Sequence, residues 1–158
     1  MKIVLLLTGK SDASWLREAV EIYEERLSHY IDYKRVEVPE IRNVAGLSIK
    51  QMKEKEGELL LKHVKQSDRL VLLDERGEFF SSDEFANYIE KQMISGTRNI
   101  VFAIGGPYGF SESVYNRADG LLALSKFTFT HQMVRVIFLE QLYRAFTIIR
   151  GEQYHHKQ

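Results

Sequence analysis

The chain has 158 residues, 44% hydrophobic and 28% charged, with 22 Lys and Arg against 22 Asp and Glu and no cysteine. That length suits one domain spanning 1–158 with a sizeable core, and no apolar run reaches membrane-spanning length. Zero formal charge excludes a general positive field for gripping nucleic acid, and the missing cysteines exclude disulfides and thiolate chemistry and suit a reducing, cytoplasmic compartment.

In chain order the pattern alternates strand and helix. Residues 2–8 form an apolar strand. Its Gly9 reads as a turn, so the start is structure and not a signal peptide. Trp15, Leu16, Ala19, Val20, Tyr23 and Leu27 recur at helical spacing over 14–29. Residues 33–38 alternate as a short strand before Pro39. Ser48 caps a polar helix to Val64, with Gly57 a weak point in it. Residues 69–73 form a third strand. Ser81 and Glu84 make a capping box for a helix carrying Phe85, Tyr88 and Ile89. Residues 99–104 form a fourth strand, Ser111 starts a short helix to Arg117, and residues 120–124 form a fifth strand. A last helix runs over 132–148. Strands apolar on both faces, alternating with helices, predict an α/β fold with a parallel sheet covered on both sides. Ligands of such sheets sit beyond the carboxyl ends of the strands. Three edges qualify: Thr8 to Lys10, Asp74 to Gly77, and Gly105 to Gly109.

Glycines at 105, 106 and 109 leave two readings, a backbone that approaches a ligand and a tight turn without one. The stretch matches neither a dinucleotide fingerprint nor a Walker loop. Thr8 to Ser14 ("TGKSDAS") is a rival phosphate loop of flavodoxin type, or a plain loop with a helix cap.

The last helix has a polar stripe of only Glu140, Gln141 and Arg144, so more than one neighbour must bury it, and a second subunit is one candidate. On that basis Phe138→Glu or Leu139→Glu is expected to break a dimer. Arg135 falls on the apolar side, either paired to a carboxylate at an interface or reaching an anionic substrate. His131 is a cap, a solvated residue or part of a site. From Ser125 onward five Lys and Arg face two Asp and Glu, and three of the five histidines lie there. Adjacent His155 and His156 lack a spaced acidic partner, so no metal is expected. The tail beyond Gly151 has little apolar content and is expected to be dispensable for folding.

Taken together, "FAIGGPYG" (102–109), "LSKFTFTHQMVR" (124–135), "LEQLYRAF" (139–146) and "RGEQYH" (150–155) resemble the SPOUT methyltransferase family. "KIVLLLTGK", "VEVPE" and "KEKEG" extend the resemblance over the whole chain. It implies an alpha/beta knot fold with a C-terminal trefoil knot, a homodimer, and S-adenosylmethionine as cofactor. Within the family the motifs are closest to enzymes that methylate N3 of a pseudouridine in 23S rRNA on the assembled ribosome. Carried over by position, the cofactor pocket comprises Leu73, Gly105, Leu124, Ser125, Lys126, Phe127, Thr128 and Phe129. The glycine turn then lets main chain lie against the cofactor, and Gly105→Val is expected to fill that space and to resist positive φ. Three positions depart from the family, which has Ser at Pro107, Pro at Thr130 and Pro at Gln153.

Methyl transfer from a sulfonium to a ring nitrogen needs alignment, exclusion of water and help in removing the imide proton, but no metal. Arg135, His131 and Tyr154 are the candidates for that help. Tyr154, His155, His156 and Lys157 suit stacking on a base and meeting phosphate. Two other classes stay open: a flavodoxin-like electron carrier, marked by flavin absorbance, and a non-catalytic RNA- or nucleotide-binding module, marked by cofactor binding without transfer.

Overall fold

The computed structural model describes residues 1–154. Five strands form one parallel sheet in the order β2-β1-β4-β3-β5: β1 (Lys2–Thr8), β2 (Asp32–Val38), β3 (Arg69–Phe79), β4 (Asn99–Ile104) and β5 (Gly120–Ala123). Five helices alternate with them: α1 (Ser14–Ser28), α2 (Ile49–Leu61), α3 (Ser82–Ile94), α4 (Glu112–Arg117) and α5 (His131–Ile149). The period of two along each strand sorts the core into two layers. Leu5, Leu7, Ile100, Phe102 and Ile104 face α1, α3 and α5, while Leu6, Val101 and Ala103 face α2 and α4. The strand runs read as apolar on both faces because both faces are covered.

Local signals fix the helix starts. Ser48 and Ser81 each complete a capping box, with Gln51 and Glu84, and Ser111 accepts from the Val114 N–H. Gly57 is more than a weak point. A Cβ there would collide with Ser111 Oγ and come 3.0 Å from Val114 Cγ2, so the glycine lets α2 lie against the start of α4.

Two expectations change. The third strand does not end at Leu73. It bulges over 74–77 and resumes, so that Leu73 and Glu78 both pair with Leu122. Gly77 makes this possible, because a Cβ on it would lie 2.6 Å from the main chain of Leu121 and Leu122. Nor does the apolar girth of α5 need a second subunit. The helix lies between α1 and α3, and Phe138 and Leu139 are 0% exposed within the single chain. The Phe102 and Phe138 rings meet at a tilt of 49°, centroids 4.8 Å apart, across the sheet-to-helix boundary. A charge at 138 or 139 therefore attacks the core and not a dimer seam. No helix of the described residues is long and apolar enough to cross a membrane.

Beyond α5 the chain turns at Gly151, with φ of 70°. It then docks back, as Tyr30 Oη donates to Glu152 at 2.6 Å and the Tyr154 ring meets that of Tyr143 at 4.8 Å. The tail as far as Tyr154 is thus attached to the fold, against the expectation from its composition. His155, His156, Lys157 and Gln158 lie outside the described residues.

Candidate active site

Because all strands are parallel, their carboxyl ends share one edge, and a cavity of about 800 Å³ opens beyond β3, β4 and β5. Leu73, Ile104, Leu122 and Leu124 form its apolar floor. The turn after β4 makes one wall, the segment from Ser125 to His131 the opposite wall, and the β3 bulge with Tyr115 a third. Of the residues inferred for a cofactor pocket, Leu73, Gly105, Leu124, Ser125, Phe127, Thr128 and Phe129 converge here. Lys126 is exposed and is not among the lining residues.

The glycine turn has a division of labour. Gly109 takes φ of 78° and donates its N–H to the Gly106 carbonyl at 3.1 Å, closing a four-residue turn. Pro107 occupies the second position of that turn, where its fixed φ fits and no N–H is used. Gly105 does not have positive φ; a Cβ on it would press on the Phe110 ring at 3.2 Å. Its requirement is for close packing, so the strain expected at 105 belongs to 109. At Gly106 a Cβ would meet the Glu56 carboxylate at 3.3 Å. Burial, and then the charge of Glu40, pushes the Glu56 carboxyl up from its ordinary value.

The bulge, within the Asp74 to Gly77 edge picked out from the sequence, supplies polar groups to which that reading gave no role. Asp74 accepts from the Arg76 N–H at 2.9 Å and from Arg76 Nε at 3.2 Å, and the Tyr115 hydroxyl donates to it. Burial pushes the Asp74 carboxyl up, but the bonds from Arg76 and Tyr115 outweigh it and hold the group below the usual carboxylate range. The Arg76 guanidinium lies 4.6 Å from the Tyr115 ring centroid. The one available signal was an acidic residue directly after an apolar strand; the partner 41 positions away was invisible.

Thr130 caps α5, accepting from the Met133 N–H at 3.3 Å with φ of −63°. That φ is one proline also adopts, so Thr exchanges a ring constraint for a hydrogen bond. His131 faces the cavity from the first turn, and burial followed by the nearby Arg135 charge lowers its pKa, favouring the neutral ring. Arg135 does not enter the cavity and makes no ion pair among the described residues. It is 0% exposed, donating to the Thr8 carbonyl at 2.7 Å and to Ser11 Oγ at 3.2 Å, with Nε unpartnered. It ties α5 to the end of β1. Gln132 adds a second tie, donating to the Lys10 carbonyl at 3.1 Å. The Thr8 to Ser14 loop thus serves as an anchor and contributes nothing to the cavity lining.

Tyr154 is remote from this group in the chain. It contacts α5 near its other end, donating to Glu140 Oε1 at 3.2 Å. Burial, and a hydrogen bond with Tyr23, push its phenol up to about 12, so it acts as a donor at neutral pH.

A cavity beyond the carboxyl ends of parallel strands, between a glycine turn and a capped helix, lies where α/β folds place their ligands. The family model described as "Predicted SPOUT methyltransferase" matches residues 1–155, and the chain belongs to that family. It is 52% identical over 157 residues to the ribosomal RNA large subunit methyltransferase H of Parabacteroides distasonis, covering 99% of this chain and 100% of the relative. The protein of the same name from Christiangramia forsetii is also 52% identical over 157 residues, with the same coverage. Among solved structures, a probable methylase family protein from Haemophilus influenzae aligns with a TM-score of 0.52 at 12% identity, over 99% of this chain and 70% of that one. This last likeness concerns the fold alone. Membership of a methyltransferase family removes the flavodoxin-like reading.

Proposed function

We propose that this chain transfers a methyl group from S-adenosylmethionine to N3 of a pseudouridine in 23S rRNA, acting as a single-domain cytoplasmic homodimer on the assembled ribosome. The observation that carries the reading is the convergence of Leu73, Gly105 and the 124–129 segment on one cavity, in a chain 52% identical end to end to proteins named for this class of activity. The trefoil knot implied by the family belongs to the same proposal, supported by the two facing walls at 105–109 and 124–129.

The cavity fits the cofactor. Its volume of about 800 Å³ accommodates a nucleoside with an amino-acid arm, and its floor of Leu73, Ile104 and Leu122 suits a purine face. Gly105, Leu124 and Thr128 line the cavity, and in this reading their main chain meets the purine edge. When bound, S-adenosylmethionine supplies an electrophilic methyl group on a sulfonium. The chain's own contribution is to hold the acceptor in line, keep water out and take up a proton. His131 is the group in place for the last task, a neutral imidazole on the cavity wall. Arg135 acts through position, fixing the α5 start on β1. Tyr108 and Phe127, 53% and 82% exposed at the rim, offer rings on which a splayed base can stack. Lys126 beside them meets phosphate. Tyr154, with His155, His156 and Lys157 following, serves the RNA and not the cofactor.

With Phe138 and Leu139 internal, the dimer seam falls to α1, where Trp15 and Ile22 are 57% and 42% exposed on one helical face, two turns apart. The test is transfer of labelled methyl groups from S-adenosylmethionine to large-subunit particles, followed by mass spectrometry of the rRNA. Transfer to one pseudouridine is expected, and none to free RNA. Cofactor binding without transfer to any particle would instead favour the non-catalytic module.

A further inference from the structure

Among the described residues, the side chains lining the cavity that are charged at neutral pH are Lys53, Asp74, Glu75 and Arg76, and the last three are consecutive on the β3 bulge. A regular strand sends neighbouring side chains to opposite faces. The bulge breaks that alternation, so Asp74, Glu75 and Arg76 all border one space.

The three are held differently. The Asp74 side chain is only 9% exposed and is engaged by Arg76 and by the Tyr115 hydroxyl. The Arg76 side chain is 66% exposed. Asp74 takes its guanidinium along one edge, from Nε at 3.2 Å and Nη2 at 3.5 Å, and the Tyr115 ring centroid lies 4.6 Å from it. A guanidinium carries five N–H groups in a planar fork, so the edge turned away from Asp74 keeps its donors on a side chain whose freedom is already restricted. Glu75 is exposed and makes no hydrogen bond or ion pair among the described residues.

S-adenosylmethionine is charged at its sulfonium and at its amino-acid end, where an α-ammonium and a carboxylate sit on one carbon. Its purine and ribose are neutral. A zwitterion taken from water into a cavity needs opposite charges already in place. Only the bulge presents an unengaged carboxylate beside an unengaged guanidinium edge, among the described residues that line the cavity. We propose that the β3 bulge holds the zwitterionic end of the cofactor, Arg76 taking its carboxylate and Glu75 its α-ammonium, while Asp74 and Tyr115 position the guanidinium. The proposal rests on the methyltransferase reading above. It makes the bulge the part of the cavity that tells a complete cofactor from a bare nucleoside.

The test is calorimetric binding of S-adenosylhomocysteine and 5′-methylthioadenosine. The two share adenosine and a thioether sulfur, and only the first has the amino-acid end. Wild type is expected to prefer S-adenosylhomocysteine by about a hundredfold or more. Arg76→Ala should lower that affinity about thirtyfold, Tyr115→Phe about tenfold and Glu75→Gln about fivefold, the scale of lost hydrogen bonds to charged groups, with 5′-methylthioadenosine bound as by wild type. Equal losses for both ligands would make the bulge a scaffold and overturn the proposal. So would an unchanged preference in Arg76→Ala, or a preference lost only in Lys53→Ala. An intact preference in Arg76→Ala with a raised KM for the ribosomal particle would put Arg76 on RNA phosphate and overturns it too. A wild-type chain that binds neither nucleoside sinks the cofactor reading itself.

Discussion

At its first turn α5 carries a Thr130 cap, with His131 and Val134 facing a cavity walled by main chain and apolar side chains. Toward its other end the same helix and its C-cap carry Tyr143, Arg144 and Arg150, in edge-on ring and cation–π contacts with Tyr30, Tyr154 and Arg26. One end borders a concave cavity; the other is an exposed cluster of rings and cations. The concave end, proposed above as the cofactor site, is built from turns, a bulge and glycines, the rigid elements a pre-formed pocket needs. The buried face of the middle, Phe138, Leu139 and Leu142, keeps the two ends at a fixed separation.

The largest effect should come from breaking that middle. Phe138→Glu puts an unpaired carboxylate into the core between α1 and α3 and should cost about 4 kcal/mol or more, enough to unfold the chain in a urea titration. Ile22→Glu, on an exposed face, should leave monomer stability within about 0.5 kcal/mol while dissociating the dimer on light scattering. Equal loss of fold from both would erase the distinction between core and seam.

Next come changes confined to the concave end. Gly105→Val must displace the Phe110 ring, an overpacking that should cost about 1–3 kcal/mol and lower S-adenosylmethionine affinity at least about tenfold by calorimetry. Arg26→Ala should leave that affinity untouched. Tyr115→Phe removes the hydroxyl that holds Asp74 and should weaken cofactor binding by about 1.5 kcal/mol, with the fold intact by circular dichroism. If Tyr115→Phe binds as wild type, the bulge is scaffold and not part of the site.

Smaller effects test how the helix start is held. Thr130→Ala deletes the cap on Met133 and should lower stability by about 1 kcal/mol. The smallest concerns His131. Its folded pKa lies below the unfolded value of 6.5, so the unfolded chain binds the proton first as pH falls. The contribution to stability is complete above about pH 6.5 and is lost as pH drops from there through the lowered folded value. Denaturant midpoints measured from pH 7 downward should therefore fall more steeply for wild type than for His131→Gln. Parallel curves would mean that the ring is not desolvated.

The sequence by itself determined the elements. Continuous apolar runs, serine caps and three-and-four spacing are local signals, and each strand and helix appears where they placed it, within a residue or two at most ends. It also marked two walls of the cavity, because the glycine turn and the 124–129 segment, Lys126 apart, are contiguous motifs. What tertiary structure alone decided depends on partners distant in the chain. The 74–77 bulge needs the main chain of β5 to press on Gly77, and the hold on Asp74 needs Tyr115. Arg135 was legible as an arginine on an apolar face, but its carbonyl and hydroxyl partners at Thr8 and Ser11 lie more than 120 positions away. The same distance hid the arginine–tyrosine cluster, which joins residues 23–30 to 143–154. Local sequence sets the torsions and the periodicity of a segment; which polar group meets which across the fold is settled only when the sheet order brings the segments together.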